Sequence, residues 1–164
     1  MSGKFIYKLS LYFFICGIYS TYFAQEIKVG LVELSKGADM IVTGKVIRQV
    51  SSWNEDNSRI YSLATVQVAD YIKGFSAEET VTIKYLGGEV GEVGEMYSHM
   101  PRFEDNEEVL VFLEKDDKGS DYKVFNGDNG KINLVNDSQT GELVTSSNVQ
   151  VSSLKAQIKS YIND

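Results

Sequence analysis

Few residues in this sequence could act in nucleophilic catalysis. A reactive serine, threonine or cysteine usually needs a histidine or lysine beside it to accept its proton. The sequence contains one histidine, His99, and one cysteine, Cys16. Ser98 directly precedes His99, but adjacency along the chain does not place two side chains in hydrogen-bonding geometry. We therefore interpret His99 as a loop residue and predict no catalytic residue.

Metal and phosphate sites are weakly supported as well. Zinc prefers cysteine and histidine ligands, and a single histidine does not supply the usual set. Residues 126–130 (NGDNG) offer oxygen ligands for calcium, but the glycine and glutamate of an EF-hand loop are missing. A tight turn in a hairpin of residues 122–125 and 131–135 explains them better. The glycines of residues 87–94 resemble a phosphate-binding loop, yet Glu89 and Glu92 lie among them and would repel phosphate. We predict no metal and no cofactor.

A binding surface is the remaining chemistry. Aromatic residues, methionine and arginine are enriched at protein interfaces. Trp53 falls in a predicted loop of residues 51–59, and a predicted loop of residues 86–106 contains the other candidates, Tyr97, Arg102 and Phe103. These four residues are the predicted binding site. The alternative for Trp53 and Phe103 is that their rings fold inward and fill the ends of the core.

The charge of the chain limits its partners. The sequence has a net charge of −7, with 23 acidic and 16 basic residues. Nucleic acids and anionic lipid surfaces require basic patches, so we expect neither as a partner. A solvated acidic surface accounts for the many carboxylates, and no pair of them is singled out for glycoside hydrolysis.

The N-terminal residues are typical of a cleaved secretory signal peptide. Lys4 and Lys8 precede an apolar stretch at residues 11–18, and Ala24 is a small residue suited to cleavage. We predict that residues 1–24 are removed, that the mature chain is secreted or periplasmic, and that it has no membrane span. Loss of the two lysines changes the net charge from −7 to −9. The alternatives are an uncleaved anchor and lipidation of Cys16.

The elements that position these residues are mainly strands. Alternating or continuous apolar residues predict strands at residues 40–50, 60–72, 80–85, 109–113, 122–125 and 131–135, with the run 109–113 covered on both faces. Helical spacing predicts a short helix at residues 27–36 and an amphipathic helix at residues 152–162. We predict one domain, residues 25–164, with a five- to six-stranded antiparallel OB-like barrel, because a sandwich of the immunoglobulin type needs about seven strands.

Several short segments carry a resemblance to known families. Residues 38–46 (ADMIVTGKV), 101–103 (PRF) and 107–113 (EEVLVFL), together with the glycines at 87, 88 and 91, resemble a family of small exported bacterial β-barrel proteins. More distantly, Ala38-Asp39, Gly44-Lys45-Val46 and Lys73-Gly74 resemble the netrin-like module of tissue inhibitors of metalloproteinases, which implies an OB-type barrel. Those inhibitors chelate zinc through an N-terminal cysteine, and the mature chain predicted here has none, so the inhibitory mechanism does not carry over.

These observations lead to one functional expectation and two alternatives. We predict a non-enzymatic interaction module that binds a protein partner through loops at one end of the barrel. The first alternative is a small hydrolase that works through carboxylates. The second is a protease inhibitor that does not use the zinc-chelating cysteine.

Overall fold

The computed structural model describes residues 30–116 and 121–164. The predicted signal peptide therefore lies outside the described residues, as does the start of the predicted helix 27–36. Residues 34–164 form one compact unit. Residues 30–37 are helical (α1). The described elements that follow are β1 (Met40–Trp53), β2 (Ile60–Lys73), β3 (Thr80–Leu86), β4 (Gly88–Val90), β5 (Val93–Glu95), β6 (Glu108–Lys115), β7 (Tyr122–Val124), a 3₁₀ helix (Gly127–Gly130), β8 (Lys131–Asn136), β9 (Leu143–Thr145) and α2 (Val151–Asn163).

Five strands close into a barrel in the order β1-β2-β3-β7-β6, with β6 returning to pair with β1. These pairings are antiparallel except for β3 with β7, which are parallel through Ile83 and Tyr122. β8 and β9 extend the same sheet outward from β6. The predicted small OB-like barrel with two helices is confirmed. The prediction described its strands as antiparallel, and the parallel pairing of β3 with β7 was not expected from the sequence.

The core follows from the apolar pattern of the strands. In β3 the side chains alternate, so that Val81, Ile83 and Tyr85 are buried and the residues between them are partly exposed. In β6 every residue of the predicted apolar run 109–113 is buried. Because alternate side chains of a strand point to opposite faces, a wholly buried run means that β6 is covered on both sides.

Two predicted boundaries are wrong. The predicted strand 40–50 continues to Trp53, because β1 remains paired with β2 as far as Trp53 and Ile60. The polar residues there join the ladder, and the hydroxyl groups of Ser51 and Ser62 share a hydrogen bond of 2.8 Å. The predicted loop 86–106 contains the hairpin of β4 and β5, whose turn passes through Gly91 at a positive φ of 63° that glycine adopts without strain.

The two helices are fixed to the barrel by lysines. Lys73 Nζ donates hydrogen bonds of 3.0 and 2.9 Å to the main-chain oxygens of Ser35 and Lys36 at the end of α1, where a cation is favoured by the helix dipole. On α2, Lys155 Nζ lies 3.0 Å from Asp70 Oδ2 on β2. Within residues 30–116 and 121–164, neither helix has the length and apolar character needed to cross a membrane.

Candidate functional site

The two predicted loops meet at one end of the barrel. Arg59, in the loop between β1 and β2, donates through Nη1 to the hydroxyl oxygen of Tyr97 at 3.1 Å. The Tyr97 hydroxyl donates to Glu95 Oε2 at 3.0 Å, and the main-chain N–H of Ile60 donates to the same oxygen at 3.0 Å. Glu95 therefore links the end of β5 to the start of β2. We call Arg59, Glu95 and Tyr97 the latch.

The turn that carries Arg59 is shaped by side-chain acceptors. Asn54 Oδ1 accepts the main-chain N–H groups of Ser58 and Arg59 at 2.9 and 3.0 Å. Asp56 Oδ1 accepts the same N–H of Ser58 at 3.0 Å. Hydrogen bonds from the Ser58 hydroxyl and main chain lower the pKa of Asp56 below its usual range. The turn thus holds a carboxylate that is charged at neutral pH.

One groove lies beside this turn and has a volume of about 580 Å³. Trp53 is half-buried in it and is the last residue of β1. The Lys84 ammonium lies 5.1 Å from the ring centroid of Tyr61, which is within the range of a cation–π contact. We call this the Trp groove; its lining residues are Ser52, Trp53, Asn54, Glu55, Asp56, Tyr61, Leu63, Lys84 and Asp121.

The sheet face that continues from the Trp groove carries an exposed apolar pair. Val50 on β1 and Leu63 on β2 are directly opposite each other in the register. Their exposed fractions are 43% and 39%. Outward positions of a half-exposed antiparallel sheet are usually polar, so this pair is a candidate for contact with another molecule.

A second groove, also about 580 Å³, lies at the mouth of the barrel. Tyr85 and Phe103 line its inner part with ring centroids 5.4 Å apart, and Gln49 Nε2 donates to the Tyr85 hydroxyl at 2.7 Å. Burial raises the pKa of Tyr85 above its usual value, so this phenol is neutral at physiological pH. We call this the mouth groove; it is lined by Gln49, Ser51, Tyr85, Gly88, Glu89, Gly94, Glu95, Met96, Arg102, Phe103 and Glu104.

The four predicted binding residues have different environments. Trp53 is accessible in the Trp groove, Tyr97 belongs to the latch, and Arg102 is exposed at the mouth groove, where its guanidinium contacts the sulfur of Met96. Phe103 is only 3% exposed and belongs to the core. The structure therefore favours the inward alternative for Phe103, whereas it leaves Trp53 available.

A partly buried ion pair holds Phe103 in place. Lys131 Nζ lies 2.8 Å from Glu107 Oε1 and 4.8 Å from the Phe103 ring centroid. The same ammonium donates to the main-chain oxygen of Arg102 at a short distance. These contacts fasten the segment before β6 onto the barrel, so the Phe103 ring has a structural reason to be buried.

The residues considered for catalysis and metal binding lie apart from the grooves. Ser98 and His99 are exposed, and the main-chain oxygen of His99 accepts the N–H of Asp128 at 3.1 Å. Residues 126–130 form a turn and a 3₁₀ helix between β7 and β8, but the predicted hairpin of these two strands is wrong, because each of them pairs with β6 and not with the other. Across residues 30–116 and 121–164, no three histidine, cysteine, aspartate or glutamate side chains are grouped so as to hold a metal ion.

The residues missed by the sequence analysis are Gln49, Val50, Tyr61, Leu63, Lys84 and Tyr85. A signal for two of them was present, since Ala64 and Val66 facing inward places Tyr61 and Leu63 on the opposite face of β2. No protein-family model matches this sequence, and no curated protein matches it significantly. The two grooves are therefore the features of this chain from which a function can be inferred.

Proposed function

We propose that this protein is an exported, non-enzymatic module that binds a protein partner through the barrel end formed by the Trp groove, the latch and the mouth groove. The observation that carries the proposal is the accessible pair Trp53 and Tyr61 beside the exposed apolar pair Val50 and Leu63. Tryptophan and tyrosine are the side chains most often responsible for binding energy at protein interfaces.

The arrangement of the grooves supports a macromolecular partner. The Trp groove and the mouth groove lie on the two sides of β1, where Ser52 and Val50 face outward while Gln49 and Ser51 line the mouth groove. A small ligand is usually enclosed by a single pocket. A partner that contacts both grooves would bury the apolar pair between them, and that burial is the main favourable term in association.

The latch supports the proposal by giving the loops a defined shape. Two hydrogen bonds to one oxygen of Glu95 connect β2 with the segment after β5. A surface that is already ordered loses less conformational entropy on binding than a disordered one. The barrel end is thus a preorganised surface made from loops on a rigid scaffold, which is where binding residues commonly occur.

The test is a comparison of variants in a pull-down from culture medium with the mature chain as bait. We expect a partner that the wild type retains and that Trp53→Ala loses, because removing an interface anchor costs more than about 1 kcal/mol, or roughly fivefold in affinity. Phe75→Ala is the matched control, since this aromatic residue is 78% exposed at the other end of β2.

Two results would contradict the proposal. Loss of the partner with Phe75→Ala but not with Trp53→Ala would place the interface at the other end of the barrel. Turnover of a peptide or glycoside substrate that a single Asp or Glu substitution abolishes would establish a carboxylate-dependent hydrolase instead.

A further inference from the structure

One edge of β1 has no strand partner along its second half. The pairing of β1 with β2 continues to Trp53, whereas its pairing with β6 ends at Lys45 and Glu108. The last main-chain bonds on that side join Val46 to Glu107 and Asn106, at 2.9 and 2.8 Å. From residue 47 to residue 53, the side of β1 that faces away from β2 is therefore unpaired within the part of the chain that the structure describes.

The main-chain groups on this edge have a definite direction. The N–H of Asn54 donates to the oxygen of Arg59 at 2.9 Å, so residue 54 directs its main chain toward β2. The register is regular from Arg48 to Trp53. Because successive residues of an antiparallel strand alternate in direction, Gln49, Ser51 and Trp53 direct their N–H and C=O groups away from β2. They form a row of donors and acceptors spaced about 7 Å apart.

The sequence of this edge lacks the features that usually prevent strand addition. Natural edge strands are commonly protected by charged residues, proline or bulges. A bulge does occur between Val46 and Arg48, and Arg48 is charged. The five residues that follow, 49–53 (QVSSW), contain neither a charge nor a proline. Protection therefore stops where the unpaired row begins.

The mouth groove provides space beside this edge. Gln49 and Ser51 line the groove, together with Glu89, Arg102 and Glu104. An added strand would lie about 4.8 Å from β1. The groove volume of about 580 Å³ is within the range of ligand-binding clefts. The exposed carboxylates of Glu89 and Glu104 outnumber the single guanidinium of Arg102.

We propose that β1 accepts an extended segment of a partner as an added strand in the mouth groove, and that this segment carries basic residues. Main-chain hydrogen bonds to Gln49, Ser51 and Trp53 would supply affinity, and lysine or arginine side chains would face Glu89 and Glu104. A second copy of this chain is disfavoured, because every copy carries the same net negative charge, which is −7 for the full sequence. The inference rests on the proposed function, since it uses the same barrel end.

The test uses a peptide of about eight residues that alternates lysine and valine, since a strand of that length spans the edge. A glutamate–valine peptide controls for charge, and the lysine–valine peptide with every main-chain nitrogen methylated controls for hydrogen bonding. Trp53 is the one tryptophan of the chain, so its fluorescence reports binding. We expect the lysine–valine peptide to bind and both controls to bind at least about tenfold more weakly.

A pair of variants tests the strand geometry. Ser51→Pro removes a main-chain N–H that faces the open edge, whereas Ser51→Ala keeps it and removes only the hydroxyl. Both variants lose the hydrogen bond to Ser62, so the difference between them isolates the main-chain donor. We expect Ser51→Pro to bind the peptide about tenfold more weakly than Ser51→Ala.

Hydrogen exchange in the wild-type protein decides the question if Ser51→Pro fails to fold. Bound peptide should slow exchange at Gln49, Ser51 and Trp53, while Val50 and Ser52 serve as controls because their N–H groups face β2. Equal slowing at all five positions, or equal binding by the two Ser51 variants, would overturn strand addition. A dimer of this chain that Ser51→Pro abolishes would overturn the basic partner. These results are distinguishable from a failure of the proposed function. The proposed function fails in the pull-down, if no captured protein is lost with Trp53→Ala, whereas strand addition fails in the peptide measurements.

Discussion

Phe103→Ala should destabilise the barrel much more than Trp53→Ala, because the two aromatic side chains occupy different environments. The Phe103 ring is 3% exposed and packs against Tyr85 with ring centroids 5.4 Å apart. The Lys131 ammonium also contacts this ring, at 4.8 Å from the Phe103 centroid. Trp53 is half-buried at the end of β1, so truncating it leaves the core intact.

The magnitude follows from the burial of the ring. Truncating a fully buried phenylalanine to alanine costs about 3–5 kcal/mol, from lost transfer free energy and the cavity that remains. Loss of the contact with Lys131 adds about 0.5–1 kcal/mol. For a domain of this size, 1 kcal/mol corresponds to roughly 3–5 °C, so Phe103→Ala should lower Tm by at least about 10 °C. Trp53→Ala should cost about 1 kcal/mol.

Thermal and urea unfolding of both variants, followed by circular dichroism, measures the difference. Phe103→Leu is the matched control, since it keeps most of the apolar volume and should cost less than about 1.5 kcal/mol. Equal losses of Tm for Phe103→Ala and Trp53→Ala would refute the assignment of Phe103 to the core. The segment before β6 would then have to be counted with the binding surface.

Three further predictions use simple measurements. Val111→Asp should unfold the domain, because Val111 is fully buried and the new charge would have no partner. Thr82→Asp, at a partly exposed position of β3, should cost less than about 1 kcal/mol. Equal losses of stability in thermal melts would show that the burial of these two positions is wrongly assigned. Burial raises the pKa of Tyr85 above 10.0, so the stability that the neutral phenol contributes is complete below pH 10.0 and is lost as the pH rises through the folded-state pKa. Tyr85→Phe should reduce this loss of stability at alkaline pH, and free energies of unfolding measured on both sides of pH 10.0 test this prediction. Mass spectrometry of the native protein should find residues 1–24 absent, and an intact N-terminus or a lipid on Cys16 would contradict the predicted cleavage.

The strands were predictable where burial imposes a period. Val81, Ile83 and Tyr85 alternate with polar residues, and the run 109–113 is continuously apolar, so β3 and β6 follow from the sequence. The hairpin of β4 and β5 has no such pattern, because its short strands are rich in glycine and mostly exposed. Its existence depends on contacts with distant residues, such as the close approach of Gly88 to Ser51 and Ser62.

The site was predictable only in part. The residue types of Trp53 and Phe103 are equally suited to an interface or a core, and the contacts that bury Phe103 come from Tyr85 and Lys131, which are distant in sequence. The contact between the exposed residues Val50 and Leu63 could not be predicted from the hydrophobicity of either strand alone, because it depends on the register between β1 and β2.

The double pairing of β1 also determines the order in which the barrel forms. β1, β2 and β3 are consecutive and pair as neighbours, so this meander closes only short loops. The first half of β1 must wait for β6, as Met40 pairs with Leu113 far along the chain. Contacts of such long sequence separation slow folding. The rate of folding should therefore be set by the docking of β6 into the gap beside β1, and a chain that emerges from its N-terminus completes the meander well before the barrel.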